Sequence, residues 1–406
     1  VQTCALPILN AKTMFGILTS LVMLAGTACG AADGTSAEAD TSVQEDILSA
    51  KTFTADSSNV KLLGRNYLAD DGTLWVVHSA SGVEFSFMGT KASVTIVGDS
   101  GAGTAQNSGN EARFAVYVNG KLTMDELVTE PEKTYEIFSS DAEAETVVRI
   151  IKLSESANST FGIKSIDAEC TGGIQSTAPK DLKIEFIGDS ITCGYGVDDE
   201  VKEHHFSTAT ENATKTYAFK TAENLDADWS FVSFSGHGII SGYTDNGQKQ
   251  TQQTVPAYYA KLGRSYGSKS GDFLVQDKDW DFNSFVPDVI VINLGTNDDS
   301  YCKGDDEKAM EYAEAYEQFI EEVRSHNSDA QIICTIGIMG DRLYPFIEYA
   351  VSEYTEKTGD TKVSAMKFDV QNQADGYAAD WHPTEATHEK AAQKLTDEIK
   401  SILGLS

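Results

Sequence analysis

The chain has 406 residues, room for two or three domains at roughly 100–200 residues each. With 41% hydrophobic residues it can build real cores, which excludes wholesale disorder. Sixty-two acidic against 31 basic residues give a net charge of −31, which repels phosphate backbones and sets nucleic acid aside as a partner.

Residues 1–8, Val-Gln-Thr-Cys-Ala-Leu-Pro-Ile, match the in-frame translation of a sequencing-library adapter and are read as an assembly artefact. Residues 9–28 have export character: Lys12 supplies the positive flank, and Met14 to Ala25 form an apolar core too short to span a bilayer. The run Leu24-Ala-Gly-Thr-Ala-Cys29 resembles a bacterial lipobox and makes Cys29 the expected lipidation site. Gly26 departs from the branched apolar residue usual there, so cleavage by the ordinary signal peptidase is the alternative. Both readings place the mature chain outside the cytoplasm, secreted or lipid-anchored to the outer face of a bacterial membrane. Residues 29–57 read as a flexible acidic linker. Beyond them stand Cys170, Cys193, Cys302 and Cys334; none lies in a C-x-x-C pair, so neither a zinc site nor a redox motif is indicated.

Residues 58–170 are a succession of short strand-like runs, such as Val83-Glu-Phe-Ser-Phe-Met88 and Ala112-Arg-Phe-Ala-Val-Tyr-Val118. Apolar and polar residues alternate, and Asn119-Gly120 is a strong hairpin signal. The pattern predicts an antiparallel β-sandwich of jelly-roll type. Gly172-Gly173 and Thr177-Ala-Pro-Lys180 read as a linker. Over 181–404 buried-strand runs alternate with amphipathic segments, which predicts an α/β/α domain on a parallel sheet. The strands expected are Ile184–Ile187, Phe231–Phe234, Val289–Leu294, Gln331–Ile338 and Val363–Val370. Ligands in such folds sit beyond the carboxyl ends of the strands.

Three strand ends and one late loop carry candidate chemistry. Gly188-Asp-Ser190 follows the first strand, where a serine on a tight turn can meet a histidine; a plain capped turn would look the same. Ser235-Gly-His-Gly238 follows the second, where glycine lets a backbone N–H approach a ligand. Gly295-Thr-Asn-Asp298 follows the third, and Asn297 can lend a side-chain N–H. Asp380-Trp-His-Pro383 precedes the last helix.

In this order and placement the blocks resemble the SGNH hydrolases, whose core is flavodoxin-like. Leu62-Leu-Gly-Arg65, Val83-Glu-Phe-Ser-Phe87, Tyr117-Val-Asn-Gly-Lys121, Lys152-Leu-Ser-Glu155, Trp280-Asp-Phe282 and Asn293-Leu-Gly-Thr-Asn-Asp298 narrow the resemblance to carbohydrate esterase family 2. The resemblance implies a jelly roll plus an SGNH domain, and removal of O-acetyl groups from polysaccharides such as xylan and glucomannan. Carried over by position, Ser190 is the nucleophile and His382 the general base, with Ser190 N–H, Gly236 N–H and the Asn297 side chain as the oxyanion hole. No metal or cofactor is called for, and a monomer is expected.

The wider superfamily has its aspartate three residues before the histidine, where this chain has Ala379. Either Asp380 bends round to His382, or a main-chain carbonyl, the tryptophan's in some members, holds the ring; Asp380 is the preferred reading. Tyr195, Trp280 and Trp381 are candidate sugar-stacking residues, with core packing the default for Trp280. Gly263-Arg-Ser-Tyr-Gly267 fits a nucleophile-elbow pattern but lacks a preceding buried strand. His204 and His205 read as a solvated loop, and His388 as a surface residue. The rival functions are a lipase or thioesterase on the same fold, and a non-catalytic glycan-binding lipoprotein.

Overall fold

The computed structural model describes residues 47–105 and 109–405. The adapter-like residues 1–8, the export segment 9–28, Cys29 and most of the acidic linker lie outside the described residues.

The first half is antiparallel. Strands β1 (Ser49–Phe53), β2 (Lys61–Leu63), β3 (Asn66–Leu68), β4 (Leu74–Val76), β5 (Gly82–Gly98), β6 (Arg113–Val118), β7 (Lys121–Leu127), β8 (Glu132–Lys152) and β9 (Phe161–Ser176) pair in the order β3-β4-β9-β5-β8-β6-β7. β1 adds to β9 and β2 to β5. The pairings of β5 with both β8 and β9 shift register between Gly89 and Lys91. Such bulges bend strands, and the bent sheet encloses one core that includes Phe85, Val94, Phe114, Val148 and Phe161.

Two boundaries differ from the sequence reading. Ser49–Phe53, assigned to the flexible linker, is a strand: its main chain pairs with Ile166–Cys170, and Phe53 packs against the core. One aromatic in a polar run is a weak apolar signal, and the ladder hydrogen bonds do the rest. Gly172-Gly173, expected as linker, lies inside β9; both adopt positive φ, 78° and 111°, which glycine tolerates, and the pairing continues to Ser176.

The second half is a parallel sheet of β10 (Leu182–Gly188), β11 (Ala227–Ser233), β12 (Val289–Asn293), β13 (Gln331–Ile338) and β14 (Val363–Val370) in the order β11-β10-β12-β13-β14. Helices α1 (Ser190–Cys193), α2 (Tyr217–Asn224), α3 (Pro256–Tyr259), α4 (Thr296–Cys302), α5 (Asp306–His326), α6 (Tyr344–Thr358) and α7 (Glu385–Leu403) complete it. Strand residues alternate between two cores. Phe186, Val289 and Val291 join Ala218, Ala222 and Leu395 of α2 and α7, while Ile187, Ile290 and Ile292 join Tyr312, Tyr316 and Ile347 of α5 and α6. Covering both faces is why these strands read as unbroken apolar runs. The buried positions of α5, from Ala309 to Val323, recur at helical spacing.

Charged groups seal the two halves together. Arg65, between β2 and β3, is fully buried. Its Nη1 donates to the Tyr259 and Lys261 carbonyls at 2.6 and 2.8 Å, and its Nη2 lies 3.4 Å from Glu185 Oε2 in β10. Burial lowers the Arg65 pKa while Glu185 opposes the shift. Trp229 Nε1 donates to the Ala80 carbonyl at 2.9 Å, and Arg113 Nη1 to Asp198 at 2.7 Å. Cys170, Cys193, Cys302 and Cys334 are buried and unpaired. Replacing Arg65 by alanine leaves Glu185 buried without its counter-charge, though Tyr259 Oη still donates to it, and leaves two carbonyls without this donor. A loss of about 3–5 kcal/mol is expected, read as a lowered Tm in thermal unfolding; an unchanged Tm would show that this contact contributes nothing.

Candidate active site

The sheet order sets the site. β11, β10 and β12 are adjacent, with neighbouring strands about 4.8 Å apart, so the turns after them emerge side by side. Ser190 follows β10, Gly236 follows β11 and Asn297 follows β12. Phe234 N–H donates to the Gly188 carbonyl at 3.3 Å, holding the second turn against the first.

Ser190 opens α1, which Asp189 caps through its Oδ1 and the Ile191 N–H at 3.0 Å. His382 reaches the same point from the loop beyond β14, and its Nε2 lies 2.9 Å from Ser190 Oγ. Its Nδ1 lies 3.2 Å from the Ala379 carbonyl. A carbonyl only accepts, so Nδ1 carries the proton and Nε2 offers its lone pair to the serine hydroxyl. Burial pushes the His382 pKa down to about 4, and the Ala379 contact and Asp380 offset it only in part. The ring is therefore neutral at pH 7.

Asp380 does not orient His382. Its Oδ2 accepts from Tyr195 Oη at 2.7 Å and from Phe206 N–H at 3.0 Å, and its Oδ1 meets His205 Nδ1 at 2.8 Å. The backbone is the cause: Asp380 and Trp381 both adopt left-handed φ, 50° and 64°, which turns the aspartate away from the imidazole. Two such residues in series cost on the order of 1–3 kcal/mol each. The loop is held by Asp380 N–H on the His204 carbonyl at 2.9 Å and Ala379 N–H on the Asp199 carbonyl at 2.8 Å. The tryptophan carbonyl is also engaged elsewhere, accepting from Gln371 Nε2 at 2.8 Å. The carbonyl that faces Nδ1 belongs to Ala379, the position where the wider superfamily carries its aspartate.

Tyr195 is not a free stacking face. Its ring lies on His382, centroids 3.9 Å apart and 18° from parallel, and packs on Phe206 at 4.5 Å. Trp280 is not brought to the site: it packs with Val77, Leu262 and Val275, with the Arg65 guanidinium 4.9 Å from its ring centre. Trp381 is 49% exposed and, with Val201, Lys202, Gln373 and Tyr377, lines an open cleft of about 520 Å³. The Lys202 ammonium sits 4.1 Å over its ring.

Asn297 Nδ2 donates to the His237 carbonyl at 2.8 Å and lies 3.3 Å from Asp189 Oδ2. To serve an oxyanion, that amide must exchange the longer contact for the ligand. Asp298, which the sequence left without a role, organises the neighbouring turn. Its carboxylate accepts from the N–H groups of Ile239, Ile240 and Ser241, at 2.8–3.0 Å for its shorter contacts. Burial pushes its pKa up to about 6, against the pull of those amides. A Cβ on Gly238 would lie 2.4 Å from Asp298 Oδ2, so only glycine lets the turn close over the carboxylate.

Three other histidines weighed in the sequence take no part in the Ser190–His382 contact. His204 meets Asp199 and His205 meets Asp380, two separate carboxylates. His388, expected at the surface, is buried and accepts from Tyr217 N–H at 3.1 Å. Ser265 of the elbow-like run lies in a loop, its Oγ donating to the Ser268 carbonyl. Among the described residues, Glu155, Cys193 and Glu211 have ligand atoms within 4.8 Å of one another. Glu155 Oε2 and Glu211 Oε2 already accept backbone amides.

Comparison with known proteins follows the same division. The profile of the GDSL-like lipase/acylhydrolase family matches residues 186–390, and that of the carbohydrate esterase 2 N-terminal region matches 62–177. The cellulase/esterase CelE of Acetivibrio thermocellus is 34% identical over 358 residues, 86% of this chain but 40% of that protein. The chain thus spans less than half the length of that relative. An acetylxylan esterase / glucomannan deacetylase of Cellvibrio japonicus is 25% identical over 87% of this chain and 92% of its own length. A family two carbohydrate esterase from Clostridium thermocellum, solved with cellohexaose, has a TM-score of 0.72 at 32% identity, covering 85% of this chain and 99% of that one. The acetyl xylan esterase Est2A of the rumen bacterium Butyrivibrio proteoclasticus has a TM-score of 0.78 at 25% identity, covering 88% and 99%.

A fluorophosphonate probe reads the serine–histidine contact directly. Ser190 should be labelled at a rate that holds down to about pH 4 and falls below it as His382 protonates; a midpoint near the ordinary histidine value would refute the buried, neutral ring. Asp380→Asn should label within about tenfold of the unaltered protein. A fall of about 10⁴-fold, as for a true triad aspartate, would restore Asp380 to the relay.

Proposed function

The chain belongs to the family 2 carbohydrate esterases, within the GDSL-like lipase/acylhydrolase family, and on that premise we propose that it removes O-acetyl groups from plant cell-wall polysaccharides. Xylan, glucomannan or their oligosaccharides are the substrates, and an acetyl-serine is the intermediate. The observation that carries the reading is Ser190 Oγ at 2.9 Å from the Nε2 of a neutral His382, whose chain neighbour Trp381 is exposed and lines an open cleft.

The chemistry follows from those atoms. Ser190 Oγ attacks the acetyl carbonyl carbon while its proton passes to His382 Nε2. Negative charge gathers on the carbonyl oxygen, where Ser190 N–H, Gly236 N–H and Asn297 Nδ2 stabilise it. The bond to the sugar oxygen breaks, and that oxygen takes the proton from His382. A water then loses a proton to the same nitrogen and attacks the acetyl-serine; acetate leaves and Ser190 Oγ recovers the proton. The Ala379 carbonyl holds Nδ1–H throughout and stabilises the imidazolium that forms in each half-reaction. Trp381 offers its indole face to a sugar ring, one residue from the base.

The enzyme acts outside the cytoplasm, a reading supported by the export-like segment and its lipobox-like end at Cys29. Cys29→Ser should move the protein from the membrane to the soluble fraction; no change in partition would remove the anchor. Acetate release tests the activity. The protein should free acetate from acetylated xylan or glucomannan, and Ser190→Ala should lose at least about 10³-fold. Preference for a long-chain ester would favour the lipase reading, and no release from any ester would defeat catalysis altogether.

A further inference from the structure

The loop between β8 and β9 is polar yet buried over most of its length, and it reaches the turn after β11 through Glu155. Glu155 lies in it, 1% exposed. Its Oε2 accepts from the Ser235 N–H at 2.8 Å, and Ser235 is the residue immediately before Gly236. Its Oε1 accepts from Asn158 Nδ2 at 3.1 Å, and its own N–H donates to Glu211 Oε2 at 2.9 Å. Cys193 Sγ, on the helix that Ser190 opens, lies 3.8 Å from Glu155 Oε2. Lys152 Nζ donates to the carbonyls of Ser154 and Glu155 at 2.5 and 2.9 Å and fixes the loop from which the carboxylate projects.

We propose that Glu155, a side chain of the sandwich, is a positioning residue for the oxyanion hole: by holding Ser235 N–H it sets where the Gly236 N–H points. This rests on the reading of Ser190 and Gly236 as acyl-transfer groups. The turn needs such a brace. Gly236 is left-handed at φ 75°, and no atom outside its chain neighbours lies within 4 Å of where its Cβ would be. On that side nothing packs to hold it. The turn is held from its flanks instead: Glu155 takes the Ser235 N–H, His237 Nδ1 meets the Ser235 carbonyl at 2.9 Å, Tyr243 N–H donates to the Gly236 carbonyl at 2.9 Å, and the Asp298 carboxylate holds residues 239–241. Burial raises the carboxyls of both Glu155 and Glu211, while the Ser235 N–H and the Lys152 ammonium pull Glu155 back down.

Reach and charge are separable by substitution. Glu155→Gln keeps an oxygen at the same distance from Ser235 N–H, whereas Glu155→Asp keeps the charge and withdraws the acceptor by one methylene. Each protein is read with 4-nitrophenyl acetate and by the rate constant of fluorophosphonate labelling, whose phosphoryl oxygen takes the oxyanion position. Both are expressed per labelled serine, so misfolded molecules drop out. Glu155→Asp should lose roughly 10–100-fold in kcat with KM within twofold, and slow in labelling by a similar factor, because a misaimed donor is lost only in the transition state. Glu155→Gln should stay within about threefold in both. The proposal is overturned if Glu155→Asp also stays within threefold, or if Glu155→Gln falls as far as Glu155→Asp. Absence of turnover in the unaltered protein, with the labelling pattern intact, would defeat the esterase reading and leave the positioning role standing.

Discussion

Charged side chains sealed between the two sheets impose the constraint on which the molecule depends. Arg65 in the sandwich has its acceptors in the hydrolase half, at Glu185, Tyr259 and Lys261. Glu155 likewise holds an amide that belongs to the turn after β11. A buried charge stripped of its partners costs several kcal/mol, so neither half is complete without the other. The sandwich is thus a structural part of the hydrolase rather than a module hung on its end.

Given that seam, the placement of the site follows from topology. In the order β11-β10-β12-β13-β14 the chain reverses direction of growth at β10, and the turns that carry Ser190, Gly236 and Asn297 leave three neighbouring strands. A crevice at such a switch point is where open parallel sheets take ligands. Only His382 must travel, and it does so on a loop whose unusual backbone is held by its own hydrogen bonds and by Asp380. Trp381, which lines the open cleft, and His382, which meets the serine, are consecutive residues.

Much of this was legible in the residues, because buried parallel strands and glycine-flanked turns leave strong local signatures. The run Gln331–Ile338 is a strand from end to end as expected, and Gly188-Asp-Ser190 does mark the tight turn. What stayed hidden depends on atoms without sequence identity. Any residue at 379 offers the carbonyl that faces His382, whereas Asp380 looked like the natural partner until its φ turned it away. Tyr195 and Trp280 carry the aromatic surface that sugars favour, yet one is engaged by an imidazole and the other by a guanidinium. The strand Ser49–Phe53 is written mainly in main-chain hydrogen bonds, which composition cannot report.

The four unpaired thiols carry one more implication. Cys170, Cys193, Cys302 and Cys334 are all buried, and their surroundings raise each pKa, to about 12 for Cys302 and Cys334. Thiolate is the species that oxidants and alkylating agents attack. Over the described residues no disulfide joins the four cysteines. Among the described residues, an electrophile aimed at nucleophilic side chains therefore meets four thiols that burial holds away from the reactive thiolate.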